Sequence, residues 1–100
     1  MEGGGGRLAR SLRVRDLPET ASDGLLRALF VPFGEISEVK LGLRGRQCTG
    51  DAIVTMSEAE DADSARDNLH NSEVFGKVIR VSEASEQDFS ELGIAPASAQ

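Results

Sequence analysis

Gly50-Asp-Ala-Ile-Val-Thr-Met56 is the stretch on which the fold turns. Ala52, Val54 and Met56 alternate with Asp51, Ile53 and Thr55. That period of two is a strand with its first set in a core and its second set facing out. Upstream, Leu12-Arg-Val-Arg-Asp-Leu17 alternates in the same way, with Leu12 and Val14 inward, and Pro18 ends it. Between the two, Ser22 offers a helix N-cap, and Leu26, Leu29, Phe30 and Phe33 follow at helical spacing until Pro32 and Gly34 stop the helix. Ile36 to Leu43 alternates again, with Ile36 slightly offset and Val39, Leu41 and Leu43 in phase; Arg44-Gly-Arg-Gln-Cys48 is a polar turn. Downstream, Ser57 is a second N-cap, and Glu58, Glu60 and Asp61 suit the positive end of a helix dipole. The buried stripe of that helix, Ala62, Ala65 and Leu69, is small enough for close packing on a sheet. Phe75-Gly-Lys77 then turns into a last strand, Val78 to Val81, with Ile79 and Val81 inward.

The order β-α-β-β-α-β predicts an α+β, ferredoxin-like sandwich: a four-stranded antiparallel sheet with two helices on one face. The opposite face is left for solvent or a partner. The expected boundaries are a flexible Gly/Arg-rich N-terminus over 1–10, one domain over 11–84 and a flexible tail over 85–100. In the tail Phe89, Leu92 and Ile94 stand isolated among Ser, Ala, Glu and Gln, with a short helical turn near Asp88–Leu92, touching the domain, the one element it would allow.

Composition narrows the function. A chain of 100 residues, 39% hydrophobic, is one domain with a modest core, and no apolar run is long enough to cross a bilayer. Cys48 and His70 are the only cysteine and histidine. That excludes an internal disulfide, a Cys/His metal cluster and a nucleophilic triad, so we expect no enzyme, no cofactor and no small-molecule substrate. Cys48 reads as an exposed thiol in a reduced compartment, and His70 as a favourable residue at a helix C-terminus. Arg7, Arg10, Arg13 and Arg15 recur as in a mitochondrial presequence, but Glu2 and the immediate strand speak against one. Formal net charge is −6, unevenly spread: residues 1–50 carry eight Lys/Arg and six Asp/Glu, residues 51–100 three and eleven. One face of an acidic molecule can therefore be basic.

Four local motifs carry a resemblance. Leu12-Arg-Val-Arg-Asp-Leu17 is similar to the first-strand hexamer of RNA-recognition-motif (RRM) domains, and Thr49 with Gly50–Met56 to their third-strand octamer. Phe30-x-x-Phe-Gly-x-Ile36 and Phe75-Gly-Lys-Val-Ile-Arg-Val81 have the spacings usual in that family, so the likeness covers about residues 11–84. Leu29–Ile36, Ala59–Ala62 and Asn71–Val81 further resemble the RRM of nuclear cyclophilins of the cyclophilin E type, without their isomerase domain. The RRM of translation initiation factor three subunit g is a second resemblance, sharing an arginine at Arg13.

The resemblance implies RNA lying across the open sheet, stacked on aromatics at one hexamer and two octamer positions. Here those positions hold Arg13, Asp51 and Ile53, and the octamer's leading basic position holds Thr49. Stacking contributes about 1–3 kcal/mol per base, so its loss predicts weak binding. In its place the sheet would present arginines: Arg13, Arg15, Lys40 and Arg80 pointing outward, with Arg44 and Arg46 in the neighbouring loop. The competing reading is structural: with Arg13 opposite Ile53, Arg15 faces Asp51 in a cross-strand pair. The expected partner is single-stranded RNA, weakly held by a monomer in a nuclear RNP or RNA-processing context, with cytoplasmic or mitochondrial placement as alternatives and no membrane. The alternative function is a protein-interaction or scaffold domain that has lost RNA binding. Glu58, Glu60, Asp61, Asp63 and Asp67 read as a solvated helix face, and Arg66 as a stem lying over the core edge. Glu73-Val-Phe75 lacks the arginine of the family's helical-side peptide-binding turn, so that mode is not expected.

Overall fold

The computed structural model describes residues 8–92. The glycine and arginine start through Arg7, and the tail beyond Leu92 with Ile94, lie outside the described residues, so their expected flexibility is not addressed.

Alternation at Ser11–Arg15 gives β1, with Leu12 and Val14 at 1% and 0% exposure. Ser22 caps α1 (Asp23–Phe30) by accepting the Leu25 N–H at 3.1 Å. Pro32 then forces a single 3-10 turn, Val31–Phe33, before Gly34. Next come β2 (Ile36–Arg44), β3 (Gln47–Met56) and α2 (Ala59–Leu69). A small hairpin, β4 (Glu73–Val74) with β5 (Lys77–Val78), follows. The last strand of the sandwich is β6 (Arg80–Glu83). The sheet order is β2-β3-β1-β6. The β1/β3 and β2/β3 ladders are antiparallel, as is β1/β6. Leu12, Val14, Val54, Met56, Ile79 and Val81 face Leu26, Phe30, Ala62 and Ala65, and this layer is the core.

Several local expectations are corrected. Leu43 is exposed rather than in phase with Val39, because the β2/β3 register shifts between Leu41 and Leu43. The second shift, between Ile36 and Glu38, is the offset seen in the sequence. Helix α2 is capped at Glu58, not Ser57, and has no side-chain cap bond. Cys48 is buried, not exposed, its sulfur accepting the Gly50 N–H at 3.3 Å. His70 Nδ1 accepts the Val81 N–H at 3.0 Å, so the ring ties the end of α2 to β6. The last strand begins at Arg80, since Val78 belongs to the hairpin.

Gly34 shows how tightly α2 seats. Its φ is +154°, and a Cβ there would fall on the Asp61 carboxylate and 2.8 Å from the Asp61 Cβ, which cannot swing away. Gly34→Ala is expected to cost about 2 kcal/mol or more in chemical denaturation; a loss under about 0.5 kcal/mol would show that α2 shifts without penalty.

A candidate nucleic-acid interface under a C-terminal helix

The face opposite the core is built by register. Lys40 pairs with Ile53, Ile53 with Arg13 and Arg13 with Ser82, so one row crosses all four strands. A second row places Arg15 opposite Arg80. Five of the eight expected site residues thus gather here, Asp51 joining them as Ile53's neighbour on β3, one step along the same face. Arg44 and Arg46 lie apart at the β2–β3 turn, exposed and without an ion pair among the described residues.

This face is not open. Where a tail was expected, residues Glu86–Glu91 form a third helix, α3, lying on the sheet. Its start is a capping box: Ser85 Oγ accepts the Asp88 N–H at 3.3 Å, and the Asp88 carboxylate accepts the Ser85 N–H at 2.8 Å. Phe89 packs with Ile53, Ala84 and Leu92 in a second apolar cluster; Ile53 and Phe89 are each 1% exposed. Burying Phe89 contributes about 2–3 kcal/mol.

Arg13 lies beneath α3 at 3% exposure. Its Nη1 donates to Asp88 at 2.6 Å and Glu91 at 3.0 Å, and its Nη2 is 3.2 Å from Asp51. Burial pulls the Arg13 pKa down, but hydrogen bonds to Glu91 and Asp51 and the charges of Asp51 and Asp88 outweigh it. The guanidinium is held above its ordinary range and stays cationic. Its Nε, also buried, has no hydrogen-bond partner among the described residues. A buried orphan of this kind costs about 1–3 kcal/mol.

The expected Arg15–Asp51 pair does not form, although Arg13 does face Ile53. Asp51 takes Arg13 diagonally, and Arg15 turns to Asp88 at 3.3 Å. The centre of the face therefore carries two arginines against Asp51, Asp88 and Glu91. Cations remain at its margins: Arg15 is about half exposed, Lys40 lies 3.7 Å from Glu38, and Arg80, well exposed, lies 3.6 Å from Asp16. Beside α3 a cleft of about 290 Å³ runs between Gly42, Leu43, Thr49 and Asp51 on the strands and Glu91 on the helix with Leu92 just past its end. Asp88, Phe89 and Glu91 are the site residues that sequence reasoning missed. The signal was present as Ser85-x-x-Asp88 with a single phenylalanine behind it.

On the helical side, Arg66 pairs with Asp63, Asp67 and Glu83, partly neutralising the acidic helix face. Among the described residues no helix is long and apolar enough to cross a membrane.

The family model described as RNA recognition motif matches residues 12–80. A curated relative, RNA binding protein fox-1 homolog 1-like of Danio rerio, is 36% identical over 84 residues, covering 84% of this chain and 22% of that protein. The chain thus spans about a fifth of the length of that relative. Among solved structures, RNA recognition domains 1 and 2 of sex-lethal from Drosophila melanogaster superpose with a TM-score of 0.72 at 27% identity, over 80% of this chain and 52% of that one. The Rna15 RRM with bound RNA (GU) superposes at 0.74 with 17% identity, over 84% and 92%, a likeness of fold alone. The matched family stretch ends at Arg80, so α3 is an addition beyond it. With its motifs, sheet order and family match in agreement, the chain belongs to the RNA recognition motif family.

Proposed function

We propose that this domain is an RNA-binding module that contacts single-stranded RNA weakly, through arginines and a lysine instead of stacked aromatics. The observation that carries the reading is the set of exposed cations at the margins of the sheet face, Arg15, Lys40 and Arg80, with Arg44 and Arg46 exposed apart from them at the β2–β3 turn. Such residues meet phosphates and present guanidinium planes to bases. The names of its relatives, RNA-binding proteins of the fox-1 type, support it. Weak contact suits one domain of a larger RNP or RNA-processing assembly, in the nucleus, where other modules supply the remaining affinity. A second reading, a protein-docking domain, is favoured by the carboxylates Asp51, Asp88 and Glu91 at the centre of the face.

Titration of the labelled domain with short single-stranded RNA, followed by NMR at low and physiological salt, tests the choice. Expected are amide shifts at Arg15, Lys40, Arg44, Arg46 and Arg80, with log affinity falling by about 0.7 per phosphate contacted for each tenfold rise in salt. Joint reversal, Arg15→Glu with Arg80→Glu, is expected to weaken binding at least about tenfold. Absence of any shift at millimolar RNA would leave the protein-docking reading.

A further inference from the structure

We infer that Phe75, at the tip of the β4–β5 hairpin, is a base-stacking platform for single-stranded RNA, set outside the sheet face and joined to it by Lys77 and Arg80. The inference rests on the RNA-binding reading above and adds a contact that the cations alone do not supply.

Phe75 is the one ring that the fold does not use. All four aromatic residues of the chain are phenylalanines. Phe30 and Phe89 are buried, and Phe33 is half-buried against the core. Phe75 is 75% exposed. Its backbone is unfavourable as well. Phe75 and Gly76 are the two loop residues of the hairpin, with φ of +48° and +85°, the positive pair that a type I′ turn requires. That turn favours Asn-Gly or Asp-Gly, and a bulky side chain at positive φ is strained. Phe75 therefore gains little from burial and is held in a conformation that disfavours it. Strain of this kind collects where a ligand is held.

The hairpin keeps the ring in place. Val74 beside it is buried, and Ile79 behind it has no exposed surface. Glu73 pairs with Val78 and Val74 with Lys77. Past Val78 the ladder continues, the Ile79 N–H donating to Ser72 O and the Asn71 N–H to Ile79 O, each at 2.8 Å. A ring presented on a fixed tip has little freedom to lose when a base lies on it.

The surroundings suit a phosphate-bearing partner. Lys77, Val78 and Arg80 are exposed, and Arg80 lies opposite Arg15 across β6 and β1. Over residues 73–80 Lys77 and Arg80 stand against the single acid Glu73, on a chain whose net charge is −6. At about 3.3 Å per residue, Lys77 to Arg80 spans ~10 Å of extended chain. An RNA strand whose phosphates meet Arg15 and Arg80 at the sheet margin can follow the hairpin to the ring without crossing the ground that α3 covers. Every base has a π-face to lay on such a ring, so the contact needs no particular sequence. A protein interface would call for a broader apolar centre than Phe75 and Val78 among charges.

The test uses the full chain and short mixed-sequence single-stranded RNA. The sequence has no Trp and no Tyr, so Phe75→Trp places a single fluorophore at the tip. Its emission is expected to be quenched at saturating RNA. Phe75→Asn suits the turn better than the native residue and is expected to keep the fold and melt no lower than the parent. The same variant is expected to bind RNA at least about fivefold more weakly, the loss of one stacked base. A loss under fivefold in Phe75→Asn, or emission of Phe75→Trp that bound RNA leaves unchanged, overturns the platform, and the RNA-binding reading then stands on its cations. If the parent shows no binding at millimolar RNA, both readings fall together and the exposed ring passes to the protein-docking alternative.

Discussion

In an Arg13→Met variant, helix α3 is expected to come off the sheet while the rest of the domain stays folded. Arg13 is the cation that holds Asp51, Asp88 and Glu91 together, and at 3% exposure it is shielded from solvent. Removing one partner of a fully buried ionic cluster typically costs about 3–5 kcal/mol; here the low end applies, because Asp88 is 11% exposed but Asp51 and Glu91 are 32% and 48% exposed. Here the carboxylates on α3 have an escape that a rigid core lacks: the helix swings out and both return to water. The penalty then appears as local opening instead of global unfolding. A loss of about 3 kcal/mol corresponds to more than a hundredfold faster hydrogen exchange at the α3 amides. The ones to watch are Phe89, bonded to Ser85 O at 3.3 Å, and Leu92, bonded to Asp88 O at 3.2 Å. Acceleration stops at the unfolded-chain rate if docking protects by less. Val54 and Ala52 amides should exchange as before. Unchanged α3 protection would mean that Phe89 alone holds the helix and the ion cluster adds nothing.

Phe30→Ala is expected to act in the opposite manner, on the whole domain at once. Phe30 has no exposed surface and packs between α1 and the sheet among Leu12, Leu26 and Met56. Truncating a buried phenylalanine typically costs about 3–5 kcal/mol, part transfer and part cavity. A domain of this size has a total stability of about 5–15 kcal/mol, so the variant keeps half or less if the parent lies at the low end. At about 4–8 °C per kcal/mol the melting temperature should fall by at least about 12 °C. All amides, including those of α3, should lose protection together. A loss below about 1 kcal/mol would show that the neighbouring side chains collapse into the vacated space.

The contrast shows which parts of the molecule were legible in its sequence. Wherever one periodicity faced one core, reading and structure agree: Leu12 and Val14, Ala52 and Val54, Ala62 and Ala65 are buried as expected, and Arg13 faces Ile53. Disagreements arise where a long-range contact overrides the local pattern. Leu43 follows the alternation but lies past a register shift, which the pattern does not encode. Cys48 sits among polar neighbours in sequence, yet its strand is bonded to the Glu19 carbonyl and the thiol is covered. For the tail, sequence allowed no more than a short turn near Asp88–Leu92 touching the domain, because a six-residue helix has too little intrinsic stability to be read without the Phe89–Ile53 contact. The same contact changes the site. The cations at the margins are exposed, whereas Arg13 and Ile53 share their places with carboxylates and a ring that belong to the chain itself.

Cys48 gives the protein a chemical clock. It is the only thiol in the sequence, 5% exposed, near the start of β3 and packed in the main core and not in the Phe89 cluster. An alkylating reagent in solution has to wait until this end of the strand lifts away from the Glu19 backbone and the Gly50 N–H lets the sulfur go. The pace of labelling therefore reads how often that corner opens, and each molecule reports a single event because it has a single thiol to spend.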